Sequence, residues 1–92
     1  MKKLVSMRKQ LDRVDRNIVS LLAKRMELAR KVGRLKARHG IPIRQPEREK
    51  ALLAHRVALG KKKGLNDKLV ADMYMKILAE SRRQQKNAKG RE

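Results

Sequence analysis

Three cations stand on what should be the dry face of the first helix. Stepping by threes and fours from Arg8 gives Leu11, Asp15, Ile18, Leu22, Arg25, Ala29, Val32 and Lys36. That is an unbroken seam of the kind a helix buries against a partner. Arg25 and Lys36 are close to three turns apart, so they point the same way, about 16 Å apart along the axis. Small Ala29 lies between them and leaves room. A single long cation on such a face can snorkel, burying its stem and keeping its charge wet. Three on one seam call for an anionic partner, because burying unpaired charge is too costly to repeat. The chemistry implied is the gripping of a small anion. Asp15, on the same seam, is expected to form a salt bridge with a basic neighbour on another helix.

Other polar residues continue apolar stripes further along. Arg48 and Glu49 sit one turn before Leu52 and Leu53, a placement that an ordinary charged first turn would also give. The stripe of Ile77 and Leu78 passes on to Ser81 and Gln85, as a polar, fraying end would too. Taken together, these positions set a hydroxyl, an amide and a carboxylate beside several cations. There is no cysteine, no Ser–His–Asp order and no glycine-rich phosphate loop. His39 and His55 lack metal-ligand spacing and read as surface residues, so no metal or cofactor is expected. The set suits a reaction that needs no nucleophile. It would hold a polyanion in one conformation and stabilise charge that develops in the transition state.

The elements that must position these residues are helices. From Leu4 to about His39 there is no proline and a single glycine, Gly33, which predicts one long helix over 4–39. Gly40 suits its C-terminal cap, and Pro42 cannot continue it. Pro46 opens a second helix, 46–60, with Glu47 and Glu49 favourable at its positive end. The stretch GKKKGLND reads as a loop with Asn66 or Asp67 as the next N-cap. A third helix, 66–86, turns Leu69, Val70, Met73, Ile77 and Leu78 inward, and 87–92 reads as a frayed tail. The fold is all-α, a single domain over 1–92, with no repeat.

Dimensions add a constraint. The first helix would be roughly 50 Å long, against a diameter of roughly 30 Å for a compact domain of this size. Either it kinks at Gly33 or a second chain covers the remainder. Because the seam runs on through Gly33 to Lys36, a homodimer paired along the long helices is favoured.

The chain carries 27 Lys and Arg against 9 Asp and Glu, a formal net charge of +18. Such a field attracts anions from small carboxylates to nucleic acid. Tyr74 is the sole aromatic residue, so the stacking platforms of single-strand binders are missing. Without cysteine, disulfides and thiolate metal sites are excluded. No apolar run could span a bilayer, and MKKLVSMRKQLDR loses hydrophobicity too soon for a signal peptide. A soluble cytoplasmic protein is expected.

The stretches "MRKQLDRVDRNIVSLLAKRMELARKVGRLK", "IPIRQPEREKALL" and "ESRRQQ" together resemble the all-helical class of chorismate mutases, over about Val5 to Gln85. The resemblance implies three-helix chains in an intertwined homodimer. It also implies a cofactor-free rearrangement of chorismate to prephenate, on the shikimate route to phenylalanine and tyrosine. Position by position, Arg25 would bind one substrate carboxylate and Arg8 would reach another from the partner chain. Lys36 and Gln85 would donate to the ether oxygen whose bond to carbon breaks. Glu49 would accept from the ring hydroxyl, aided by the backbone at Gln45, which stands where several relatives carry Asp. Arg48 and Ser81 would complete the carboxylate-binding wall.

Three other readings compete. An isochorismate-pyruvate lyase would share the fold and change the reaction, although Glu49 favours the mutase. A basic helical nucleic-acid-binding protein would explain the charge, which exceeds what two bound dianions require. A purely structural dimerisation module would leave Arg8, Arg25 and Lys36 unexplained. Fusion to another enzyme and allosteric control stay open.

Overall fold

The proline-free N-terminal stretch folds as one unbroken helix, α1 (Lys2–Arg38), in a computed structural model that describes residues 1–89. Two shorter helices follow, α2 (Pro46–Lys62) and α3 (Asp67–Lys89), with no strand among the described residues. α1 ends at a left-handed glycine, Gly40, with φ +64°. There the Ile41 N–H donates back to the Lys36 carbonyl at 2.9 Å and the Gly40 N–H to that of Ala37, which satisfies two terminal carbonyls. Gly64, at φ +78°, closes α2 in the same way, with the Leu65 N–H reaching the Gly60 carbonyl at 2.9 Å. The Asn66 side chain caps α3, its Oδ1 accepting from the Leu69 N–H at 3.0 Å.

Two predicted ends shift. α2 runs past Gly60 to Lys62, because Gly60 is a packing position and not a stop. A Cβ there would lie 2.7 Å from Val70 Cγ2. α3 runs on to Lys89, so residues 87–89 are not a frayed end. Ala88, one turn beyond Gln85 on the same face, is only 2% exposed and holds the last turn in place. The rest of the predicted tail, 90–92, lies outside the described residues.

α3 is the central element. Glu49 meets Arg82 and Gly60 meets Val70, so α2 runs antiparallel to it. Arg25 meets Ser81 and Lys36 meets Gln85, so α1 and α3 advance in the same direction. α1 and α2 both pack on α3 but not on each other, which leaves a cleft between them. Gly33 sets how close α1 comes, since a Cβ at that position would lie 2.6 Å from the Gln85 Cα. The glycine serves this approach, and α1 continues through it without a break.

The apolar core is thin: Ala29, Leu52, Val70 and Ala88 are buried, beside Gly33 and Gly60. The molecule measures 57 × 27 × 14 Å with a radius of gyration of 16.6 Å, well above the ~12 Å of a compact chain this long. The excess is α1, whose residues 1–24 are exposed throughout, Leu11 at 61% and Ile18 at 54% among them. Asp15 stands in this stretch. It forms no ion pair among the described residues, so the expected salt bridge is not made within the chain, where this stretch of α1 is exposed throughout. Among the described residues no helix is long and apolar enough to cross a membrane.

Candidate active site

The cleft holds a cavity of about 290 Å³ with walls from all three helices and from the loop after α1. α1 contributes Arg25, Ala29, Val32 and Lys36, the C-terminal half of the sequence seam. The start of α2 contributes Arg48, Glu49 and Leu52, and the preceding loop Ile43 and Gln45. α3 presents two faces to it, Ser81 and Gln85 toward α1, Leu78 and Arg82 toward α2. A helix turns by about 100° per residue, so the step from Ser81 to Arg82 carries the wall from one side of the cleft to the other.

Lys36 is the best-fixed polar group. Its ammonium donates to the Gln85 Oε1 at 2.8 Å and to the Ile43 carbonyl at 2.7 Å. An ammonium only donates, so the Gln85 atom facing it must be the amide oxygen, and the amide nitrogen is turned elsewhere. That leaves two donors with no acceptor among the described residues: the third Lys36 N–H and the Gln85 Nε2. Burial pushes the Lys36 pKa down from its ordinary value, and the nearby Glu49 carboxylate partly restores it.

The other groups pair off in order. Arg25 Nη1 donates to Ser81 Oγ at 2.7 Å, and Ser81 is itself buried. Arg82 Nη1 donates to Glu49 Oε1 in a short ion pair. The Gln45 carbonyl accepts the Glu49 N–H at 3.0 Å, the first bond of α2, which leaves the Gln45 N–H as the backbone group there without a backbone partner among the described residues. With Glu49 neutralised by Arg82, the charges of Arg25, Lys36 and Arg48 have no counter-ion in the cavity. Such a site is electrostatically poised for a small dianion. Outside the cavity, Arg30 reaches Gln84 at 3.1 Å and Gln84 reaches Glu80 at 2.9 Å. The first bond straps α1 to α3, and the second lies within α3 and steadies Gln84. Hydrogen bonds from Arg83 and then Gln84 pull the Glu80 pKa down to about 2.

Of the residues singled out from sequence, Arg25, Lys36, Gln45, Arg48, Glu49, Ser81 and Gln85 all line this one cavity. Arg8 does not, as it precedes Arg25 by about 25 Å along the axis of α1. His39 and His55 are exposed, and no metal-binding cluster occurs among the described residues. Arg82 was not foreseen. Its signal was its place one turn after Leu78, which puts it on the α3 face toward α2.

The family described as chorismate mutase type II matches residues 7–86. The T-protein of Haemophilus influenzae is 40% identical over 81 residues, 88% of this chain and 22% of its own length. The bifunctional chorismate mutase/prephenate dehydratase of Buchnera aphidicola subsp. Schizaphis graminum is 41% identical over 78 residues, 85% of this chain and 21% of its own. The chorismate mutase of Methanocaldococcus jannaschii is 32% identical over 84 residues, covering 91% of this chain and 85% of its own length. The chain thus spans about a fifth of the first two relatives and most of the third.

Proposed function

The chain belongs to the chorismate mutase type II family, and we propose that it rearranges chorismate to prephenate in the cavity between its three helices. The observation that carries this is the Lys36–Gln85 pair on the wall of a cationic pocket lined by a single carboxylate, with one Lys36 N–H and the Gln85 amide nitrogen unengaged among the described residues. The reaction is unimolecular. One carbon–oxygen bond breaks while a carbon–carbon bond forms within the same molecule, so the protein has to supply shape and charge and no nucleophile.

Shape comes from the cations. Chorismate is a flexible dianion that must fold into a compact, pseudo-diaxial form, and clamps at both carboxylates hold it there. Arg25, steadied by Ser81, grips one carboxylate, with Arg48 completing that wall. Glu49 accepts from the ring hydroxyl through the oxygen that Arg82 leaves free, beside the Gln45 N–H. Charge stabilisation comes from Lys36 and Gln85. As the ether bond stretches, negative charge grows on its oxygen, and two preplaced donors bind that state better than the ground state.

The second carboxylate calls for Arg8, and Arg8 lies too far from its own cavity to serve it. A second copy, paired along the exposed half of α1, would bring Arg8 to the cavity, so the working unit is a homodimer. The exposed seam of Leu11, Ile18 and Leu22 supports this.

Loss of chorismate absorbance on adding the purified protein tests the activity. Lys36→Ala is expected to lower kcat/KM by a hundredfold or more, about 3 kcal/mol of barrier, and Gln85→Ala somewhat less. Release of pyruvate from isochorismate, with no turnover of chorismate, would overturn the assignment.

A further inference from the structure

Outside the seam cations, the cavity contains a cation, Arg82, that makes no contact with the substrate in the proposed reaction. We propose that Arg82 is a positioning residue for Glu49, clamping one carboxylate oxygen so that the other faces the substrate; this rests on the mutase reading of the cavity. Arg82 donates from Nη1 to Glu49 Oε1, linking α3 to the first turns of α2. Both side chains are largely withdrawn from water, at 29% and 21% exposure.

The geometry assigns the role by elimination within the cavity. Arg25 is engaged with Ser81, and Lys36 with Gln85 and Ile43. Arg48, the cation adjacent to Glu49 in sequence, is exposed and forms no ion pair among the described residues. Among the described residues, Arg82 alone holds the carboxylate. Glu49 and Arg82 also border a second groove, of about 300 Å³, on the far side between α2 and α3. The pair therefore forms the partition between that groove and the cavity. Without Arg82, the Glu49 side chain would be free to rotate toward the groove and its water, and to leave the ring hydroxyl unpaired. A second consequence is electrostatic. A bare carboxylate in the cavity would repel the dianionic substrate, and the Arg82 charge cancels that repulsion while sparing the hydrogen-bond acceptor.

Kinetics on the full chain test the role, with Arg82→Ala, Arg82→Lys, Glu49→Gln and the double variant Arg82→Ala/Glu49→Gln, each checked for helicity by circular dichroism. Arg82→Ala is expected to lower kcat/KM for chorismate by about tenfold, and Arg82→Lys to recover all but about threefold of it. In the Glu49→Gln background the same Arg82→Ala change should cost less than about twofold, because nothing is left to position. A loss that persists undiminished in that background would overturn the proposal, as would equal losses for Ala and Lys. An unaffected Arg82→Ala enzyme would overturn it while leaving the mutase reading intact. Absence of turnover by the wild-type chain would overturn both. If Arg82→Ala fails to fold, Arg82→Gln replaces it in the same cycle, with the same outcomes.

Discussion

At the residue scale the site turns on Lys36, whose neighbours give it a direction, a charge and a pH range. Ile43 and Gln85 use two of its protons and leave one without an acceptor among the described residues. Its pKa is lowered by burial, and Glu49 works against that shift. The signs then follow for activity. On the proposed mechanism the charged ammonium stabilises the ether oxygen far better than the neutral amine, so kcat/KM should fall on the alkaline side as the free protein loses that proton. This should occur below the ordinary lysine value of 10.5. Removing the carboxylate with Glu49→Gln takes away the one influence that raises the pKa, so the alkaline limb should move further down. Conversely, a bound dianion favours the ammonium, and the limb in kcat should lie above that in kcat/KM. A pH–rate series on wild type and Glu49→Gln checks all three. An alkaline limb that moves up in Glu49→Gln would contradict the placement of Glu49 beside Lys36.

At the scale of elements, the site exists because α1 and α3 touch at a glycine. A Cβ on Gly33 would meet the Gln85 Cα and carbonyl oxygen at 2.6 Å, backbone atoms with no way to yield. Gly33→Ala should push α3 off α1, at a cost of about 1–3 kcal/mol against the ~1 kcal/mol that alanine gains as a helix former. The Gln85 amide would leave the Lys36 ammonium, so turnover should fall at least tenfold at temperatures where the fold persists. Gly60→Ala is the control, since its Cβ meets a Val70 methyl away from the cavity, and it should soften the fold with little effect on turnover. Thermal unfolding and chorismate assays on the two variants separate these effects.

This close approach is also where the sequence was least legible. The seam of Arg25, Ala29, Val32 and Lys36 could be read directly, because periodicity alone puts those residues on one face. Gly33 could be read as a kink or as a contact, since one helix does not reveal what lies against it. Ala88 read as a frayed end for the same reason, its burial depending on what packs against it in the fold. Arg82 sits one step off the stripe of Ser81 and Gln85, so the pattern that found those two passed over it.

At the scale of the molecule, the described chain leaves much of the α1 seam uncovered. A 57 Å rod with a radius of gyration of 16.6 Å leaves half of α1 in water, with Leu11, Ile18 and Leu22 exposed on the seam that carries Arg8. Pairing this half with its symmetry mate would bury the seam, set Asp15 near a second set of cations and bring Arg8 to the other chain's cavity. The formal charge of +18 per chain opposes pairing, so association should tighten as salt rises toward physiological strength, where the screening length is about 8 Å. Light scattering should then give twice the chain mass of 10.7 kDa. Complementation is the sharper test. Arg8→Ala and Arg25→Ala should each be nearly inactive alone, but a mixed dimer has one site that receives Arg25 from one chain and Arg8 from the other. With equal amounts and free exchange, half the dimers are mixed and half of their sites intact, so about a quarter of wild-type activity should return. Recovery near that value requires a site shared between chains. No recovery after exchange verified by mass spectrometry would mean that Arg8 does not complete the cavity across the interface, and the second carboxylate would need another partner on the same chain.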